Sequence, residues 1–186
     1  MSVNKKSSNL VIISGPSGSG KTSICNELTK SPRVEQSISY TTRKPRDGEG
    51  NGIDYCFVER SEFERLIKED KFLEYAEYCG HLYGTPVGPV REVAEDNKIF
   101  ILAIDVQGAL QIMKKRPDAI YIFIKAPDDE TLKQRLKSRL TEDDEIINKR
   151  FMAAKKEMEA SKHYDYCVIN DRLDDAVKEI EGILQI

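Results

Sequence analysis

Residues 10–22, LVIISGPSGSGKT, constrain this chain more than any other stretch. Leu10, Val11, Ile12 and Ile13 form an unbroken apolar run that reads as a strand buried on both faces. The run leads directly into Gly15, Pro16, Ser17, Gly18, Ser19, Gly20, Lys21 and Thr22, which satisfy G-x-x-x-x-G-K-[ST] at every fixed position. A helical pattern follows, with Ile24 and Leu28 four residues apart. Strand, loop and helix in that order turn the string into an anion site. Backbone N–H groups of a glycine-rich loop converge on a phosphate only where no Cβ blocks the approach. The N-terminus of the helix adds partial positive charge at the same point. Lys21 is then placed for terminal phosphates and the Thr22 hydroxyl for Mg²⁺. The stretch therefore predicts binding of a nucleoside triphosphate.

The 186 residues suffice for one well-cored domain with inserted subdomains. A net charge of −3 leaves no excess of Lys and Arg to neutralise a nucleic-acid backbone, which argues against a general nucleic-acid binder. No apolar run approaches the length that crosses a membrane. The opening MSVNKKSSN is polar, lacks the apolar core of a signal peptide, and reads as a short tail. Cys25, Cys56, Cys79 and Cys167 are scattered, with no C-x-x-C pair. That pattern suits reduced, mostly buried thiols in a cytoplasmic protein better than zinc ligands or a disulfide frame.

Along the chain, residues 36–40 read as a short strand. Residues 41–52 are polar and glycine-rich without periodicity, and form a loop that is either functional or merely solvated. Residues 53–58 alternate as a strand. Ser61 with Glu64 looks like a capping box for a helix over 61–69. Strands are expected at 72–78 and 82–85, and Thr85 followed by Pro86 suits the start of a helix to about 97. Buried strands follow at 99–104, 120–124 and 166–169. Helices are expected from about 108 to 115, from 127 with Leu132, Leu136 and Leu140 stacked, and over 143–161 with a stripe of Ile146, Arg150 or Phe151, Ala154 and Met158. A last helix carries Leu173, Val177, Ile180 and Leu184 inward, with Asp171 as its cap. Strands at 10–13, 99–104, 120–124 and 166–169 joined by helices imply an α/β fold, a parallel sheet flanked by helices. The strand-rich middle implies an inserted mixed α+β unit. The glycine-rich loop, Asp105, Lys125 and Asn170 all follow strand ends, which puts them on the ligand-binding rim.

Three sets of residues bear on the chemistry. Arg43 and Arg46 lie in the 41–52 loop, Arg135 and Arg139 sit one turn apart on one helix, and Arg150 lies on the next. Transfer of a phosphoryl group between two nucleotides gathers several phosphates in one place. Planar bidentate donors are the suitable counter-groups. Glu74 and Asp105 are carboxylates beside strand ends. Guanine presents a ring N–H and an exocyclic amine side by side, which match a carboxylate, whereas adenine has an acceptor in place of that ring N–H. Asp105 has a second possible use, as an acid near Mg²⁺. Ser39, Tyr55, Tyr83 and Thr85 offer hydroxyls to a phosphate or a base carbonyl, though Tyr55 and Tyr83 taken singly also read as packing residues.

With these residues in view the chain resembles the guanylate kinase family from Asn9 onward. The most specific match is TTRKPRDGEGNGIDYCF at 41–57, similar to that family's T-[ST]-R-x-x-R-x-G-E-x-x-G-x-x-Y-x-F. Further matches are Phe72-Leu73-Glu74, Tyr83-Gly84-Thr85, Asp105-Val106-Gln107-Gly108, the Arg135, Arg139 and Arg150 set, and Asn170-Asp171. The resemblance implies a single P-loop NTPase-type domain. Its core would comprise 1–33, 93–126 and 159–186, its GMP-binding lobe 34–92 and its helical lid 127–158. It implies Mg²⁺-dependent phosphoryl transfer from ATP to GMP or dGMP in purine nucleotide metabolism, with no obligate protein partner. By position, Arg43, Arg46, Tyr55 and Tyr83 would hold the GMP phosphate, and Ser39, Glu74, Thr85 and Asp105 would read guanine. Lys21, Arg43, Arg135, Arg139 and Arg150 would stabilise the migrating group, and Asn170 would lie near the adenine. Thr22 and Asp105 would serve the metal.

The chain departs from the family at Ala103, where an acid that orders Mg²⁺ and its waters is frequent, and at Ser138 and Leu140, where glycine is usual. Two other readings remain open on sequence alone. One is a guanylate-kinase-like module that binds protein partners without chemistry, which the complete phosphate loop opposes. The other is a P-loop kinase for a sugar phosphate, which Glu74, Thr85 and Asp105 oppose.

Overall fold

A computed structural model describes residues 8–78, 80–88, 98–137 and 144–186, with side chains from 147 in the last segment. The sequence resolves into two sheets. The larger holds β1 (Leu10–Ser14), β2 (Val34–Gln36), β7 (Ile99–Ala103), β8 (Ile120–Lys125) and β9 (Tyr166–Ile169) in the order β2-β7-β1-β8-β9. All its pairings are parallel. The alternation of side chains along the strands explains why these apolar runs need cover on both sides. Val11, Ile13, Ile101, Ile122 and Ile124 face one way and pack on α1 (Lys21–Leu28) and the C-terminal helix α6 (Leu173–Leu184). Leu10, Ile12, Phe100 and Leu102 face the other way and meet Ala109 and Ile112 of α3 (Val106–Lys115).

The smaller sheet holds β3 (Tyr40–Thr41), β4 (Cys56–Phe57), β5 (Phe72–Tyr78) and β6 (His81–Pro86) in the order β4-β3-β6-β5. Its β3–β4 pair is parallel and its other pairs antiparallel. Helix α2 (Arg60–Lys68) seals it by burying Phe63, whose ring stacks on Phe72 at 4.5 Å between centroids. A third cluster joins Leu132 and Leu136 of α4 (Asp129–Lys137) to Ile147 and Ala154 of α5 (Asp144–Met158). This is the α/β, parallel-sheet architecture with a mixed sheet beside it that the sequence predicts.

Several local expectations fail, each because tertiary contacts outrank local propensity. The strand expected at 36–40 is two strands. Its first part, β2, pairs with β7 in the larger sheet, so the start of the expected 34–92 lobe lies in the core sheet. Only Cys56–Phe57 of the expected 53–58 strand is extended, since the preceding loop folds on itself through Gly50 N to Asp54 Oδ2 and Phe57 N to Asn51 Oδ1. Helix α2 starts at Arg60 with Glu59 as its cap position, so Ser61 and Glu64 form no capping box, and Glu64 pairs instead with Arg60. Thr85 is not a helix cap. It stays in β6, where its hydroxyl serves Glu74. The C-terminal helix is flanked by Arg172, without a side-chain cap from Asp171. The helix expected to run to 161 ends at Met158 and tightens into a 3₁₀ turn over Glu159–His163, and its buried stripe holds Ile147 and Ala154. Most of the helix expected over 85–97, together with Cys79, Ser138, Arg139 and Leu140, lies outside the described residues. Among the described residues Cys25, Cys56 and Cys167 are free thiols, of which Cys25 alone is buried, against the expectation of mostly buried thiols, and burial pushes Cys25 up to about 12. No helix among the described residues is long and apolar enough to cross a membrane.

Candidate active site

The phosphate loop is shaped by backbone packed on backbone. Gly15 has φ 148°, and a Cβ there would lie 2.1 Å from the carbonyl oxygen of Ile124 at the end of β8. Gly20 precedes α1 with φ 92°, and a Cβ there would lie 2.1 Å from Nδ2 of Asn170. These two positions admit only glycine. Asn170 follows β9, is 5% exposed, and donates from Nδ2 to the Ser19 carbonyl at 2.9 Å. Its own N–H donates to the Lys125 carbonyl at 2.8 Å. The loop is thus tied to the two strands on one side of β1. Lys21 folds back over it, with Nζ 2.5 Å from the Gly15 carbonyl and 3.0 Å from that of Pro16. Leu132 and Leu136 of α4 close the outer side, within 3.3 Å of where a Gly18 Cβ would stand.

A cleft of about 630 Å³ opens in front of this loop. Gly15, Ser17, Gly18, Gly20, Lys21 and Thr22 line one end. Ser39, Arg43, Arg46, Tyr55, Glu74 and Tyr83 line the other, with Asp105 from the end of β7 and Arg150 from α5. Residues far apart in sequence therefore share one space of a size that fits small ligands.

Arg43 is held by its own loop. Its Nη1 and Nη2 each donate at 2.9 Å to the two oxygens of Glu49, and Nη1 also reaches the Lys44 carbonyl at 2.7 Å. Its guanidinium lies 5.5 Å from the Tyr55 ring centre and 5.6 Å from that of Phe57. The Arg46 N–H donates to the same Glu49 carboxylate at 2.7 Å. Burial pushes Glu49 up, but these contacts outweigh it and hold the carboxyl below the ordinary range. The 41–52 loop is in this way braced around Arg43 by Glu49, while residues 44–48 stay exposed.

At the far wall Glu74 is 5% exposed, and Thr85 Oγ1 donates to its Oε1 at 2.6 Å. Burial pushes the Glu74 carboxyl up to about 7, with the Thr85 bond opposing the rise and the Asp105 charge adding to it. Asp105 caps α3, accepting from the Gly108 N–H at 2.7 Å through Oδ1, and lines the cleft. Thr22 and Asp105 both border the cleft, whereas no group of three His, Cys, Asp or Glu side chains suited to a metal occurs among the described residues. One carboxylate and one hydroxyl fit a Mg²⁺ that keeps waters and takes its remaining ligands from phosphates.

The structure does not gather every expected residue. Thr85 is fully buried behind Glu74 and does not line the cleft. Arg135 donates to the carbonyls of Asn170 at 2.8 Å and Asp171 at 3.3 Å, outside the cleft lining. Asn170 supports the loop from below, and Pro16 and Ser19 belong to the loop without lining the cleft. Arg139 lies outside the described residues. Sequence reasoning missed Tyr78, His81, Lys149, Ala153 and Glu157 in the lining. Burial, opposed by the Lys21 charge and reinforced by Asp105, pushes Glu157 up to about 7. Its spacing of seven from Arg150, two turns along α5, was the available signal.

The family model described as guanylate kinase matches residues 7–186. A guanylate kinase of Clostridium perfringens (strain 13 / Type A) is 47% identical over 94% of this chain and 82% of its own length. One from Desulfitobacterium hafniense (strain Y51) is 43% identical over 94% of this chain and 88% of its own. The crystal structure of guanylate kinase from Anaplasma phagocytophilum superposes with a TM-score of 0.79 at 32% identity, covering 95% of this chain and 83% of that one.

The Asn170 geometry makes a testable prediction. Asn170→Ala removes a buried bond to the loop, which should weaken binding of ATP and of inorganic triphosphate by a similar factor, about tenfold. Isothermal titration with the two ligands checks it. A loss confined to ATP would mean that the side chain reads the base instead.

Proposed function

The chain belongs to the guanylate kinase family, and we propose that it transfers the γ-phosphoryl group of ATP to GMP or dGMP, giving ADP and GDP or dGDP. The observation that carries this reading is the shared cleft, in which a complete phosphate loop faces the Arg43, Arg46, Tyr55, Tyr83 and Glu74 group. An interaction module needs neither half, and a kinase for sugar phosphates needs no buried carboxylate opposite the loop.

In this reading the loop amides and the N-terminus of α1 cradle the β- and γ-phosphates, and Lys21 leaves the Gly15 and Pro16 carbonyls for phosphate oxygens. Thr22 and Asp105 would hold Mg²⁺, which supplies charge neutralisation at the phosphates. Arg43 and Arg46, with Tyr55 and Tyr83, hold the GMP phosphate. Glu49 holds Arg43 in place, so little ordering remains when that phosphate arrives. Ionised Glu74 accepts the ring N–H and the exocyclic amine of guanine, with Thr85 fixing the carboxylate, and Ser39 and Asp105 border the base. Arg150 from α5, with Arg135 and Arg139, adds cationic donors for the charge of the transferring group. Arg135 would have to leave the Asn170 and Asp171 carbonyls to do so. The lobe that follows β2, up to residue 92, and lid 127–158 would close on the core, to which β2 belongs. Closure would exclude water, which otherwise accepts the phosphoryl group. The free thiols and this small-molecule chemistry suit a cytoplasmic enzyme.

Coupled measurement of ADP formation with GMP, dGMP, AMP and a sugar phosphate as acceptors tests the function. Turnover should require GMP or dGMP, and its absence with GMP would remove the reading. The state of Glu74 gives a second prediction. Guanine binding requires the ionised carboxylate, and Glu74 sits at about 7, so kcat/KM for GMP should rise as pH increases through that value. Glu74→Gln should lower kcat/KM and lose this inflection while keeping the one from the substrate phosphate at about 6. Identical pH profiles for the two proteins would take Glu74 out of the base site.

A further inference from the structure

Gly108 is the third residue of α3, and its φ is not in the left-handed region. Alanine would fit that backbone and is favoured over glycine inside a helix. The reason for glycine lies outside the helix. A Cβ at 108 would stand 2.3 Å from Glu74 Oε2 and 2.9 Å from its Cδ. Glu74 has little room to retreat, because it is 5% exposed and its Oε1 is bonded to Thr85 Oγ1 at 2.6 Å. On its other side Glu74 lines the cleft. The N–H of Gly108 also donates to Asp105 Oδ1 at 2.7 Å. One residue of the core helix therefore sets the positions of two cleft carboxylates, one of them from the other sheet.

We propose that Gly108 is a positioning residue that determines base selectivity. By lacking a side chain it lets the Glu74 carboxylate lie back against α3, at the depth where both oxygens meet the amino edge of guanine. A methyl group at 108 drives the carboxylate into the volume of the base and spoils the paired contact. The inference rests on the proposed role of Glu74 as the reader of guanine.

The test is Gly108→Ala in the full chain, assayed with GMP and with IMP, which keeps the ring N–H but lacks the exocyclic amine. The loss of one charge-assisted contact should raise KM for GMP by about tenfold and reduce the GMP-to-IMP ratio of kcat/KM by a similar factor. KM for ATP and the thermal midpoint should stay near the natural protein's. A merely structural role would not move the GMP-to-IMP ratio. An unchanged ratio and unchanged KM for GMP would overturn the proposal while the natural protein's GMP turnover left the proposed function standing. Absence of that turnover would remove both. Glu74→Asp shortens the colliding side chain by one methylene. In that background Gly108→Ala should change the ratio by less than about twofold, since the two positions no longer touch. If Gly108→Ala alone fails to fold, restoration of folding by Glu74→Asp supports the same collision, and failure to restore it overturns the proposal.

Discussion

The structure depends on the close approach of the loop after β1 to the end of β8. At Gly15 the separation leaves no room for a Cβ, and the Ile124 carbonyl takes that place. This contact sets where the loop amides point. Asn170 then fixes the far side of the loop to β9 through the Ser19 carbonyl. With β7 on the other flank of β1, the carboxyl ends of adjacent parallel strands converge on one rim. The position of Asp105 follows from that rim, because β7 ends just before it and α3 begins just after.

The acceptor half is built by different means. It stands on a small mixed sheet with a thin core, and its functional groups are stiffened by polar contacts. Glu49 grips Arg43 through two bonds, and Thr85 grips Glu74 through one. Groups already fixed in position need little reorganisation when substrate charge arrives or develops, which is where electrostatic catalysis gains most. The two halves touch at Gly108, where a Cβ would meet the Glu74 carboxylate.

The larger sheet was legible in sequence because strands buried on both faces must be continuously apolar. Leu10 to Ile13 and Ile120 to Ile124 have no second reading in this context. The phosphate loop was legible for a steric reason, since its glycines are irreplaceable. Strand β2 was not separated from the lobe, because three residues with one buried Val34 carry no pattern until β7 is beside them. The caps at Ser61, Thr85 and Asp171 were misread for a related reason. A hydroxyl or carboxylate that suits a helix end suits other partners equally, and tertiary structure gave Thr85 to Glu74. Glu157 went unnoticed because a glutamate on a charged helix resembles a solvated one until the helix face that borders the cleft is known.

In the proposed reaction one cleft holds a donor and an acceptor nucleotide together. A bisubstrate with adenosine and guanosine joined through five phosphates tests it most directly by isothermal titration. Occupying both half-sites with one molecule makes the second contact intramolecular, so its affinity should exceed that of ATP or GMP alone by about a hundredfold or more. One molecule should bind per chain, with a clear preference over the adenosine–adenosine counterpart. Affinity no better than that of ATP, with no preference for guanosine at the second end, would contradict it.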